Sequence, residues 1–190
     1  EMYTLTNFNR PATKTNAYRY YDFDNGQLSL GLIELAVTGE STRGEKAVID
    51  FDFGAFADAN APSTDPTHFV GQAVLSAPLE NGLRLDVGKF YSPMGFEAVK
   101  AKDCWNFSRS ALFSYAIPFW HVGLRATSQV SDTTSLSVLI VNGWNNSVEN
   151  NRGQSLGLGY SAALSDGISL NLNWLGGPEQ AGDESNWRNT

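Results

Sequence analysis

The residues of this chain that could do chemistry are few and widely spaced. Asp50 and Asp52 stand two positions apart in an alternating run. On a strand both carboxylates would share one face, about 7 Å apart. A glycosidase pair stands across a cleft at about 5–9.5 Å, so the separation is allowed, but no neighbouring motif supplies a sugar site. A hydrated wall is the better reading. His68 and His121 are the only histidines and lie far apart, without metal-ligand spacing. Asp22-Phe23-Asp24-Asn25-Gly26 is similar to the start of a calcium loop, but Ile33 stands where the closing glutamate belongs. Neither a phosphate-cradling glycine loop nor a Gly-x-Ser-x-Gly elbow is present. Cys104 is the only cysteine, which excludes an internal disulfide and a cysteine-based zinc cage. No enzyme, metal or cofactor is expected.

The elements that carry these residues are strands. In Val122-Gly123-Leu124-Arg125-Ala126-Thr127-Ser128-Gln129-Val130, apolar and polar side chains alternate. Val122, Leu124 and Ala126 therefore share one face, and Arg125, Thr127 and Gln129 the other. The same pattern predicts strands over 2–8, 27–37, 45–56, 69–77, 83–91, 119–130, 135–142, 155–163 and 168–175. The phase slips near Leu32-Ile33, as at a bulge. A short helix is predicted around 108–115, and 176–190 reads as a polar tail. The connections alternate in length: 38–44, 78–82, 131–134 and 164–167 are short, whereas 9–26, 57–68, 92–118 and 143–154 are long.

The polar faces gather Asp50, Asp52, Gln72, Arg84, Asp86, His121, Arg125, Thr127, Gln129, Asn171 and Asn173. Short turns on one rim and long loops on the other are the habit of outer-membrane barrels. Phe56, Phe90, Tyr91, Phe119, Trp120, Trp144 and Trp174 lie toward the long-loop ends, as an interfacial aromatic girdle would. Twenty acidic against 13 basic side chains, a net charge of -7, argue against a binder of the nucleic-acid backbone. No transmembrane helix is predicted, but a spanning strand needs only about 9–11 residues, half of them apolar. The expected fold class is all-β: an antiparallel up-and-down meander forming a transmembrane β-barrel, residues 1–190 being part of one barrel domain with about nine strands.

Several segments carry a family resemblance. Val87-Gly88-Lys89-Phe90-Tyr91-Ser92-Pro93-Met94-Gly95-Phe96-Glu97 resembles a strand end and long-loop start in the beta-barrel porin-2, or OmpL-like, family. Asn106-Phe107-Ser108-Arg109-Ser110 and Ala116-Ile117-Pro118-Phe119-Trp120-His121-Val122-Gly123-Leu124-Arg125 resemble its next block. Val141-Asn142-Gly143-Trp144-Asn145-Asn146 and Leu175-Gly176-Gly177-Pro178-Glu179 resemble two later loops, and Asn7-Phe8-Asn9-Arg10-Pro11 the first. The resemblance implies a barrel in the outer membrane of a Gram-negative bacterium, acting as a passive channel without a cofactor. Family chains are longer, and Asn186-Trp187-Arg188-Asn189-Thr190 does not resemble an aromatic-ended closing strand, so the chain is expected to be the N-terminal to middle portion of such a barrel.

The expected function is diffusion of ions or small polar solutes through a polar lumen. The long connection 92–118 carries Glu97, Lys100, Lys102, Asp103 and Arg109. Folded inward, it would narrow the pore and impose a transverse field; folded outward, it would only cover the mouth. Two alternatives are a non-transporting barrel or adhesin that binds a partner through its long loops, and a soluble β-sandwich that binds carbohydrate through Trp144 and Trp174. The partners of the leading reading are outer-membrane lipid and small polar solutes or ions; homo-oligomerisation stays open.

Overall fold

The computed structural model describes residues 1–190. Its strands are β1 (Met2–Thr4), β2 (Leu28–Leu30), β3 (Ile33–Glu40), β4 (Lys46–Phe53), β5 (Val70–Pro78), β6 (Leu83–Tyr91), β7 (Trp120–Ser131), β8 (Thr134–Val141), β9 (Ser155–Ser165), β10 (Ile168–Gln180) and β11 (Asp183–Asn189). Two short helices, α1 (Ala55–Asn60) and α2 (Ala111–Ala116), lie in the long connections. Strands β3 to β11 form one nine-stranded sheet in strict sequence order, with β3 and β11 as its edges. Every neighbour is the next strand in the chain, which is the predicted meander. The sheet is open.

The membership of the sheet differs from expectation at both ends. Residues 2–4 pair only with 28–30, in a separate two-stranded sheet. The phase slip at Leu32-Ile33 is a complete break: β2 stops at Leu30 and β3 starts at Ile33. The predicted polar tail is instead the end of β10 and all of β11, joined in a tight hairpin at Ala181-Gly182. Its ladder is made by backbone groups, so an apolar side-chain pattern is not required.

Residues cluster into two compact units. The larger comprises 36–49, 72–94 and 118–190. Its registers set out the two faces. Leu75 is opposite Val87, Val87 opposite Leu124, Leu124 opposite Ile140, and Ile140 opposite Leu156. Every member of that apolar row is exposed, from 39% for Ile140 to 57% for Leu75. The next row runs Ser76, Asp86, Arg125, Leu139, Gly157 and Leu175. There Asp86, Leu139 and Leu175 are buried. Charge is inside and hydrocarbon outside, the reverse of a water-soluble sheet. A soluble sandwich would bury the apolar row against a second sheet.

Gly88 and Gly123 face each other across β6 and β7. A Cβ at Gly88 would stand 2.0 Å from the Ala73 carbonyl oxygen, and φ there is +127°. Only glycine permits that backbone and that approach.

The smaller unit comprises 1–35, 50–71 and 95–117. It has its own core of Tyr3, Tyr21, Leu32, Phe56, Ala57, Val99 and Phe113, all buried. Tyr21 stacks on Phe56 with ring centroids 4.5 Å apart. Helix α2 begins at Ser110, whose hydroxyl accepts from the Phe113 amide, a serine N-cap.

Candidate functional site

In the larger unit the polar row converges on Asp86. Arg125 Nε donates to Asp86 Oδ2 at 2.8 Å, and Ser76 Oγ donates to Asp86 Oδ1. The register requires this meeting, since both Ser76 and Arg125 stand directly opposite Asp86. The guanidinium also lies 4.8 Å from the Phe90 ring centroid, a cation–π contact. Arg84 and Thr127 are half-buried register partners. Gln129 is exposed and donates to Ser131 O at 2.8 Å, near the short-turn end. Asn171 accepts from Ser161 Oγ at 2.6 Å, and the half-buried Asn173 is opposite Gly159. Gln72 is half-buried near the start of β5.

His121 stands on the same face of β7 as Arg125, opposite Phe90. It is 0% exposed. Its Nδ1 lies 2.9 Å from Gly143 O and its Nε2 3.0 Å from Ser92 Oγ. The imidazole joins the beginnings of two long connections.

In the smaller unit the long connection is fastened to the polar side of β3 and β4. Lys100 forms ion pairs with Asp50, at 2.8 Å, and with Glu34. Ile33, Leu35, Phe51 and Phe53, the alternate residues of the same strand segments, are exposed. Within this unit the connection thus lies on the side opposite Ile33, Leu35, Phe51 and Phe53. Asp50 and Asp52 are buried, as Asp86 is in the larger unit. Burial lowers the Lys100 pKa, but hydrogen bonds and charge from Asp50 and Glu34 outweigh it and hold the ammonium above its ordinary value.

The other charges of this connection divide by role. Arg109 donates to the carbonyls of Phe107, Val99 and Ala98 and lies 4.7 Å from the Tyr21 ring centroid. It is a staple of the loop and not a free lumen charge. Glu97 accepts from the Ser110 amide at 2.9 Å and ties the loop to the α2 start. Lys102 and Asp103 are exposed and pair with each other at 3.0 Å. The Tyr21 phenol is pushed well above its ordinary pKa by burial and by Tyr20, and the Tyr20 phenol upward by burial.

The aromatic girdle is largely redistributed. Phe56 is on α1 within the smaller unit's core, and Phe90, Phe119 and Trp120 are buried. Lys89 Nζ stands 3.9 Å from the Trp120 ring centroid, so an ammonium covers that ring. Trp144, half-buried, stacks with the Arg188 guanidinium at 3.4 Å. Tyr91 is half-buried and stands opposite Trp120, and Trp174, 37% exposed, lies on the outer face beside Leu158 and Leu172. Trp144 and Trp174 form no shared sugar platform: one is paired with an arginine, the other with apolar neighbours.

Three contributors went unread in the sequence. Glu34 completes the Lys100 contacts, and its alternation with Ile33 and Leu35 was the available signal. Ser76 is set opposite Asp86 only by register. Glu179 accepts from the Trp144 amide at 2.8 Å and from Ser155 Oγ at 2.6 Å. No group of three or more His, Cys, Asp or Glu is placed to hold a metal ion.

An antiparallel meander with exposed hydrocarbon on one side and charge on the other defines a transmembrane β-barrel protein. A family model described as "Putative beta-barrel porin-2, OmpL-like" matches residues 1–190, and the chain belongs to that family. Membership places it among the porin-like barrels of the outer membrane. Comparison with curated proteins and with solved structures gives no match.

Proposed function

We propose that this chain contributes the wall and the constriction of a passive channel in a Gram-negative outer membrane, without enzymatic activity. The wall is the row of Arg84, Asp86, Arg125, Thr127, Asn171 and Asn173. The constriction is the connection 95–117, and the observation that carries the reading is the Lys100 attachment to Asp50 and Glu34. It fastens the connection to the polar side of strands whose other side is hydrocarbon. Opposite charges held within the pore create a transverse field that favours small hydrated ions and polar solutes.

The test is conductance in planar bilayers, with swelling of solute-loaded liposomes as a second readout. Folded protein should give discrete conductance steps, and deletion of 97–109 should enlarge them and change ion selectivity. A folded barrel without conductance or swelling overturns the channel. Steps unchanged by the deletion overturn the constriction while leaving the channel standing.

A further inference from the structure

The smaller unit holds an open cleft of about 590 Å³ that no part of the channel reading uses. Its lining includes Thr6, Asn7, Phe8, Asn9, Asn16 and Arg19. We propose that this cleft binds a hydroxyl-rich saccharide.

The sequence builds it locally. The Asn7 side-chain oxygen accepts from the Asn9 amide at 3.0 Å, and Arg10 N donates to Asn7 O at 3.0 Å. This asparagine-led turn puts Phe8 and Asn9 at its two central positions. Phe8 is 93% exposed, an unusual place for a phenyl ring, and its face is open to a ligand. The wall behind is fixed: Asn7 Nδ2 donates to Asn16 Oδ1 at 2.9 Å, and the Asn16 amide donates to Phe23 O at 2.7 Å. Asn16 is buried and its own Nδ2 donates to Phe23 O and Asp24 O, so it serves as a fixed support. A carboxamide has two N–H donors, and the half-buried Asn7 keeps one of them after its bond to Asn16. The Thr6 hydroxyl adds a further donor and acceptor.

The lining chemistry selects among ligand classes. No carboxylate lines the cleft, which argues against a metal ion or a cationic ligand. Arg19 is its only charge, and that charge is already compensated by Asp22, so a multiply charged anion is disfavoured. Amides and a hydroxyl along the wall disfavour an acyl chain, whose burial would leave them unpaired. A sugar ring satisfies both parts: its hydroxyls exchange hydrogen bonds with amides, and its C–H face covers an aromatic ring. The volume falls within the range of small-molecule sites, about 300–1,000 Å³.

The experiment is calorimetric titration of the detergent-solubilised chain with maltose, lactose, sucrose and cellobiose, with sodium galacturonate and glycerol as comparisons. At least one disaccharide should bind saturably. Phe8→Ala should weaken it about tenfold, and Asn9→Ala should weaken it as well. Both residues are exposed, so the variants should retain the wild-type melting profile. Absence of saturable binding by all four disaccharides overturns the proposal, as does binding that Phe8→Ala leaves unchanged or that glycerol reproduces. A galacturonate preference lost in Arg19→Gln overturns the neutral-saccharide assignment in favour of an anion site. Binding in detergent needs no conduction, so this outcome is independent of bilayer recordings.

Discussion

Replacing Lys100 by methionine tests the attachment of the long connection most directly. The Lys100 and Asp50 side chains are 11% and 3% exposed, and Glu34 is 23% exposed. Methionine keeps the length of the aliphatic stem and removes the charge, leaving two carboxylates facing each other in a nearly dry place. Removing one member of a buried pair costs about 3–5 kcal/mol. Partial hydration of Glu34 favours the lower end, about 3 kcal/mol. One decade of equilibrium constant is about 1.4 kcal/mol, so the detached form should rise by roughly a hundredfold. Amide hydrogen exchange at 97–109 should accelerate accordingly, with the barrel strands β6 to β9 unchanged. Adding Asp50→Asn to Lys100→Met should recover part of the loss, because the second change removes one of the two stranded charges and their mutual repulsion. Exchange at 97–109 that accelerates less than about threefold would refute the reasoning, since the ion pairs would then not be what holds the connection.

Alkaline pH should act on the same unit. Lys100 and Tyr21 both have folded pKa values above the ordinary 10.5 and 10.0. Their contribution is therefore complete below about pH 10 and lost as pH rises through the folded values; proteolysis of 97–109 should be flat from pH 6 to 9 and increase only beyond pH 10. Leu124→Arg, on the exposed apolar row, should lower barrel stability by about 2–4 kcal/mol at mid-membrane depth; Thr127→Arg, on the other face, should be tolerated, as urea unfolding in vesicles will measure. Gly88→Val should prevent folding of the β5–β6–β7 ladder, because its Cβ would meet the Ala73 carbonyl; the electrophoretic shift between folded and heated forms reads this out.

The strands that cross with one side in hydrocarbon were legible because their alternation is a solvent record. The alternation over Leu83–Tyr91 coincides with β6. The break at Leu32-Ile33 was visible as a phase slip, though not as a change of sheet. The end of β10 and all of β11 carry no strand signal for a physical reason: Gly176, Gly177 and Pro178 are poor strand formers, and Asp183–Asn189 is mostly polar. Aromatic residues misled because position along a strand does not reveal what covers a ring. Trp120 lies under an ammonium, and Phe56 serves a core assembled from three distant segments. The polar positions 50, 86 and 125 were recognisable one by one. Their partners Glu34 and Ser76 are fixed by long-range pairing that periodicity does not encode.

Glu179 has a practical consequence. It holds the Trp144 amide at the beginning of one long connection and the Ser155 hydroxyl at its end. A segment clamped at both ends by one carboxylate has its closure distance already set. Lengthening the chain between the clamps then costs only about 0.6 kcal/mol per doubling. Val148, 67% exposed, lies between them. A peptide tag or epitope grafted at that position should be displayed at the surface without altering the strands below. The neighbouring β10–β11 hairpin, tight and hydrogen-bonded to its tip, lacks that freedom.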